Sequence, residues 1–179
     1  MNDEPVYVID VMREIVSRVS AVVTPQLARA QPTITGVQCL VGHHNDIRNR
    51  LVSQKTGKYP LIAVFQDFVE REGDASGYTY VDLQVLILYY TEKTSYTEDR
   101  YDKVFKPILY PIYLELLQQI KKHKHVHIIS ANRIEHDKID RPHWGDPGTY
   151  GNKDYLLDDV LDGVELRNLK LVLKNIKCK

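Results

Sequence analysis

The sequence contains little cysteine and carries no excess of either charge. Its two cysteines, Cys39 and Cys178, lie far apart, and neither has a histidine at metal-ligand spacing. We therefore expect free thiols in place of a disulfide framework or a zinc module. Lys plus Arg and Asp plus Glu both number 24, so the formal charge is zero. This balance disfavours a general nucleic-acid binder, whereas neutral copies repel one another little and are able to self-associate.

Long apolar runs and short catalytic signatures are also missing. No run is long enough to cross a bilayer, and the acidic residues 1–5 lack the basic region of a signal peptide, so we expect a protein made and kept in a cytoplasm. The sequence has no Gly-rich phosphate loop, no nucleophile elbow and no His-Glu-x-x-His pair. No catalytic residue, metal or cofactor is therefore predicted.

The apolar pattern predicts two long helices in a single domain over residues 1–179. With 43% hydrophobic and 27% charged residues, the chain has the composition of an ordinary globular domain. Apolar residues three and four apart predict one helix over 6–23, ended or kinked by Pro25. A second helix follows a Ser95 to Glu98 capping box and is expected to kink or restart at Pro107 and Pro111.

Strand signals fill most of the remaining sequence. Val37 to Val41 predicts one short strand inside a long connection over 30–58, and a bulge near Arg167 and Asn168 restores the alternation of the last strand. Leu86 and Leu88 make the second face of a central strand apolar, so its end should be covered on both sides. The other predicted strands cover residues 59–65, 78–90, 126–134 and 160–176. The fold class is α+β, a mainly antiparallel sheet with two helices on one face and a long C-terminal loop at about 135–159.

Three histidines offer the strongest indication of a metal site. On a strand, His123, His125 and His127 share one face and can bind a divalent ion, with His43 and His44 as further ligands. A small metal-dependent hydrolase is therefore one alternative function. The opposing interpretation is a solvated cluster where a Lys-rich helix end turns into an edge strand.

Tyrosine is over-used, with 12 copies against 3 phenylalanines. Its large apolar ring and polar hydroxyl suit surfaces that become buried on assembly, although half-buried packing under loops explains the same pattern equally well. Trp144, placed among glycines and prolines, is either a plug for a minor core or an anchor for a neighbouring subunit.

The chain resembles the tail-completion and tail-terminator proteins of tailed bacteriophages, mainly in the order of its elements and over about two-thirds of its length. The resemblance rests on residues 59–65 (YPLIAVF), 81–90, 97–101 (TEDRY), 105–113 (FKPILYPIY) and 144–166. It implies a non-catalytic virion protein of the neck or tail that forms a ring, a hexamer or dodecamer, and docks to portal, connector or tail-tube proteins while genome DNA passes through without specific binding.

For such a ring we place the subunit contacts on the 144–155 loop and on the strand that ends at Tyr90. The predicted contact residues are Trp144, Tyr150, Tyr155, Tyr89 and Tyr90. The long segment 135–159 departs from the family pattern and leaves the position in the stack open. A component of a phage-derived contractile machine, which shares the fold but not the virion, is the second alternative.

Overall fold

The described residues form four helices, a π-helical segment and six strands. The computed structural model describes residues 6–54, 56–72, 77–92, 94–127, 133–144 and 159–174. In chain order the elements are α1 (Val8–Ala30), β1 (Gln38–Gly42), α2 (His44–Ser53), β2 (Leu61–Phe65), β3 (Val69–Glu72), β4 (Tyr78–Tyr90), α3 (Thr97–Arg100), the π-helical segment (Tyr101–Leu109), α4 (Tyr110–Lys122), β5 (Asp137–Trp144) and β6 (Leu161–Lys174).

The strands form one mixed sheet in the order β1-β2-β4-β6-β5, with β3 pairing the first part of β4. Only β1 and β2 run parallel; the other named pairs are antiparallel, which confirms the predicted α+β class. The two longest strands, β4 and β6, pair along almost their whole length and form the centre of the sheet. No helix in the described part of the chain is long and apolar enough to span a membrane.

Two long helical segments cover one face of the sheet, as the periodicity predicts. The stripe on α1 is buried, with Met12, Ile15 and Val19 each 0% exposed, and α1 packs against α4. Every second residue of β4, such as Val85 and Ile87, packs with these helices in the main core. Burial of this continuous apolar stripe stabilises the fold.

The second face carries a minor core and a helix that the sequence did not predict. Leu86 and Leu88 are buried there, as expected, under α2. The sequence predicts a connection over residues 44–53 because α2 buries only Ile47 and Leu51, too few apolar positions to establish helical periodicity. The predicted short strand in the same region is confirmed as β1.

Proline and capping signals were only partly right. Pro25 was predicted to end or kink the helix; it lies inside α1, which continues to Ala30, so the helix does not end there. The Ser95 to Glu98 capping box was also wrong, because Tyr96 is the N-cap residue and no side chain caps it. The change expected at Pro107 and Pro111 is present as the π-helical segment, after which α4 restarts with proline in its first turn.

The predicted 135–159 loop contains a strand at its start, so the loop boundary was wrong. β5 is an edge strand whose residues are exposed or half-buried, and it therefore lacks the apolar alternation that identifies strands from sequence. Of the strand predicted over 126–134, Val126 pairs with Leu173 as an isolated bridge, and residues 128–132 lie outside the described part of the chain.

The predicted bulge in the last strand is confirmed. Leu83 pairs with Leu169 and Val85 with Leu166, so β6 has one more residue than β4 across this step. Asn168 takes up the extra length with a φ of 51°, a left-handed conformation that asparagine tolerates better than most residues. The bulge places Leu166 and Leu169 on the same side of the sheet, in the main core.

Candidate functional site

Two predicted contact residues lie at the same end of the sheet, on either side of the first residue of β6. Tyr90 is the last residue of β4 and Trp144 the last of β5, and both pair with Leu161, the first residue of β6, from opposite sides. We call this region the Leu161 end. The neighbouring Tyr89 pairs with Asp162. The predicted Tyr150 and Tyr155 fall outside the described residues.

Exposure distinguishes the three described contact residues. Tyr90 is 49% exposed, whereas Tyr89 is partly buried against the main core, and this burial raises the pKa of its hydroxyl. Trp144 is half-buried and packs against the minor core, the place expected of a plug. Tyr96, at the start of α3, is 81% exposed. The Leu161 end therefore presents Tyr90 to solvent above a well-packed base.

A buried ion pair connects this end of the sheet to the helical layer. The Arg100 Nη1 atom donates to Asp162 Oδ1 over 2.8 Å, and both side chains are 0% exposed. Arg100 also donates from Nε to the Ser95 carbonyl and from Nη2 to the Glu92 carbonyl, at 2.8 and 3.0 Å. One guanidinium group thus holds the connection between β4 and α3 against the start of β6.

Asp162 also positions the end of β5. Its Oδ1 atom accepts a hydrogen bond of 3.1 Å from the backbone N–H of His143, which has a φ of 54°. The other carboxylate oxygen, Oδ2, is buried and has no hydrogen-bond partner in the structure described. The Asp162 carboxylate therefore connects β6 with both Arg100 and the left-handed turn immediately before Trp144.

A second polar contact fixes the chain just before β6. Asp159 Oδ2 accepts hydrogen bonds from Lys58 Nζ at 2.8 Å and from the Tyr59 hydroxyl at 3.1 Å. Burial, together with the nearby Asp159 carboxylate, raises the pKa of Tyr59 well above its ordinary value of 10.0. Because Val160 also accepts a backbone hydrogen bond from Thr91 at 2.9 Å, the entry into β6 is held from two directions.

Two cavities open at or near the Leu161 end. The larger, about 480 Å³, lies between the end of α1 and the start of the second helical segment and is lined by Tyr89, Tyr90, Arg100 and Asp102. The smaller, about 170 Å³, lies beside Trp144 on the other face of the sheet. Its mixed polar and aromatic lining includes His44, whose pKa is lowered mainly by burial.

Glu165 organises the polar side of the smaller cavity. It accepts hydrogen bonds from Gln84 and Arg141 at 2.6 Å and from Arg167 at 2.8 Å. Burial acts to raise the pKa of Glu165, but these three hydrogen bonds outweigh it and hold the pKa below its ordinary value. The carboxylate thus stays ionised and holds two arginines beside Trp144.

The histidine cluster does not form a converging set of ligands. His123 is buried and its Nε2 atom lies 3.1 Å from Glu14 Oε2, which connects α4 to α1. His127 stacks on Tyr78 with ring centroids 5.0 Å apart. Within the described residues, no group of three His, Cys, Asp or Glu side chains is placed to hold a metal ion. His43 and His44 contact Asp67 and Phe65 instead.

Arg100 and Asp162 are the site residues that sequence reasoning missed. Arg100 lies four residues before Val104 and therefore falls on the buried stripe of its helix, while Asp162 shares the strand parity of Val164. A charged residue at a core position on each of two elements is the signal that would have paired them.

Comparison with known proteins adds no identity. No family model matches the chain, and no curated protein matches it.

Proposed function

We propose that this chain is a structural subunit that assembles head to tail into a ring, a hexamer or dodecamer, in the neck or tail of a tailed bacteriophage. In this role it acts in the virion by docking to portal, connector or tail-tube proteins. The proposal unites the resemblance in element order with the arrangement of residues at the Leu161 end. It requires no catalytic group.

The observation that carries the proposal is the position of Tyr90 and Trp144, which flank Leu161 at one end of the sheet. Beneath them, the ion pair of Arg100 with Asp162 and the hydrogen bonds of Asp159 to Lys58 and Tyr59 hold the start of β6 in place. A contact surface needs such support, since side chains already fixed in position lose less entropy on binding. Tyrosine and tryptophan are also the residues most enriched among energetically dominant interface positions.

Charge is compatible with a conduit for DNA. Equal numbers of basic and acidic residues give no overall attraction for phosphate. DNA moving through a ring of such subunits would not be retained by a positive field. We therefore propose that the genome passes through without specific binding.

A component of a phage-derived contractile machine is the rival that shares this assembly. Neighbouring genes distinguish the two, because portal and capsid genes accompany a virion protein. The metal-dependent hydrolase has less support, since His123 contacts Glu14, His127 stacks on Tyr78, and no three ligand side chains converge within the described residues.

Sedimentation velocity of the Tyr90→Ala variant tests the assembly surface. Truncating an exposed aromatic contact should weaken association about tenfold or more, equivalent to about 1.4 kcal/mol. Tyr80→Ala is the matched control, because Tyr80 lies on the same strand, is 42% exposed and is about 33 Å from Tyr90 at the strand's rise per residue. Equal association by both variants and the wild type would overturn the proposed surface.

A further inference from the structure

Strand β1 has one edge that no described strand covers. It pairs with β2 alone, at the margin of the sheet. The Gln38 N–H donates to the Pro60 carbonyl at 2.8 Å, and the Gly42 carbonyl accepts from the Gln66 N–H at 3.1 Å. Because alternate residues of a strand direct their backbone groups to opposite edges, Leu40 also faces β2, whereas Cys39 and Val41 direct their N–H and C=O groups outward.

The opposite edge of the sheet is protected, and β1 is not. β5 contains Pro142, carries a register shift between Arg141 and Trp144, and includes four charged residues among its eight. Proline, irregular pairing and charge are the usual devices that prevent another strand from adding to an edge. β1 has the sequence QCLVG, with no proline and no charged side chain. The contrast marks β1 as the edge open to strand addition.

The side chains of β1 already belong to both cores. Cys39, a free thiol, and Val41 pack partly against the main core, while Leu40 packs against the minor core. An added strand with small or apolar side chains would extend both layers and satisfy four outward backbone groups at once. Since β1 carries no charge, a charged peptide gains no ion pair here, which favours an uncharged extended segment.

We propose that the free edge of β1 accepts an extended segment from a second copy of this chain and forms the other half of the head-to-tail contact. This inference rests on the proposed ring function. A ring needs two different patches on opposite sides of each subunit. Trp144, the last residue of the opposite edge strand β5, lies four strand spacings or about 19 Å from β1, whereas Tyr90 on β4 lies about 10 Å away, so the Trp144 side of the Leu161 end supplies the opposite patch.

The Val41→Pro variant tests the edge directly. The Val41 N–H points away from β2, so proline removes an outward donor without breaking a hydrogen bond to β2. We expect association to weaken about tenfold, the effect of losing one or two net hydrogen bonds. Val41→Ala keeps the N–H while trimming the side chain, and should associate within about threefold of the wild type. Cys39→Pro serves as a second variant if Val41→Pro does not fold.

Hydrogen exchange on the wild type provides a measurement that needs no variant. In the monomer, the amides of Cys39 and Val41 should exchange faster than those of Leu40 and Gly42. Assembly should then slow exchange at Cys39 and Val41 by about tenfold or more, since opening the new pairing costs about the free energy of the bonds it forms.

The outcomes separate this inference from the ring proposal. Rings that show the exchange protection and weaken in Val41→Pro support both. Rings with unprotected Cys39 and Val41, or with an unaffected Val41→Pro, overturn the β1 contact and leave the ring standing. Two-fold dimers that depend on the Val41 N–H support addition of a second copy at β1 but overturn the ring. A monomer at every concentration overturns both.

Discussion

Arg100 and Asp162, which are 62 residues apart in the chain, form an ion pair from which solvent is fully excluded. Arg100 also donates hydrogen bonds to two backbone carbonyls, and Asp162 accepts one from the N–H of His143. The pair therefore joins α3, β5 and β6 at the Leu161 end. Its removal should affect both the stability of the fold and the geometry of the proposed contact surface.

Arg100→Met should lower the free energy of unfolding by about 3–5 kcal/mol, because it leaves the Asp162 carboxylate buried without its counter-charge. Urea denaturation followed by circular dichroism measures this loss. The control is the double variant Arg100→Met with Asp162→Leu, which removes both charges and should recover at least half of the loss. A decrease below about 1 kcal/mol in the single variant would show that the pair does not hold this end together.

Trp144→Ala should lower both stability and assembly. Because Trp144 is half-buried on the minor core, we expect a loss of about 2 kcal/mol, or about 4–8 °C in melting temperature for a chain of this size. Trp144→Phe should retain most of the stability. Trp144 is the only tryptophan, so its fluorescence reports on this position alone. If it also contacts a neighbour, its emission will shift to shorter wavelength as the protein assembles; an unchanged emission would restrict it to the plug role.

Asn168→Val should destabilise the protein by about 1–2 kcal/mol, since a β-branched side chain is strained at the positive φ of the bulge. The same change removes the 2.7 Å hydrogen bond from Asn168 Nδ2 to Asp137 Oδ2. Asn168→Gly is the matched control, because it loses that bond while accepting the backbone conformation freely. Thermal unfolding should place Gly close to the wild type and well above Val; equal losses would assign the effect to the hydrogen bond instead.

Alkaline pH should destabilise the fold through Tyr59. Its pKa is raised by burial and by the neighbouring Asp159 carboxylate, so the folded state keeps a proton that the unfolded state releases near pH 10.0. The associated stability is fully present below pH 10.0 and declines as the pH rises above it. Tyr59→Phe has no such proton and should show a shallower decline. Denaturation at a series of alkaline pH values, compared with the wild type, measures the difference; parallel curves would contradict it.

The sequence predicts the parts of the fold that depend on periodicity. The α1 stripe, the central strand with its doubly covered end and the bulge at Asn168 all follow from the spacing of apolar residues. The alternation of apolar residues along β6 predicts the bulge by itself, because Leu166 and Leu169 have opposite parity and must still share the main core. Each of these features is visible in the spacing of apolar residues within one helix or one strand.

The elements that were missed have little apolar signal. α2 buries two residues, and β5 is an edge strand without a buried position. Pro25 predicts an end or a kink, yet α1 continues past it because Leu27, which is 0% exposed, packs in the core. In each case tertiary contact determines the outcome, and single-sequence patterns do not contain it.

The site could be predicted only in outline. Composition and resemblance predict Tyr90 and Trp144 as contact residues, and both lie at the Leu161 end because β4 and β5 end on either side of Leu161. The pair of Arg100 with Asp162 depends on two elements meeting in space, which requires the topology. Whether these residues form a subunit contact is still a prediction.

The central claim is that the chain assembles into closed rings through the Leu161 end. Mass photometry combined with negative-stain imaging, over a range of concentrations of the untagged wild type, tests it most directly. The account predicts a discrete mass of six or twelve subunits and round particles with a central opening. A single mass of one subunit at every concentration, or open fibres without closure, would contradict it.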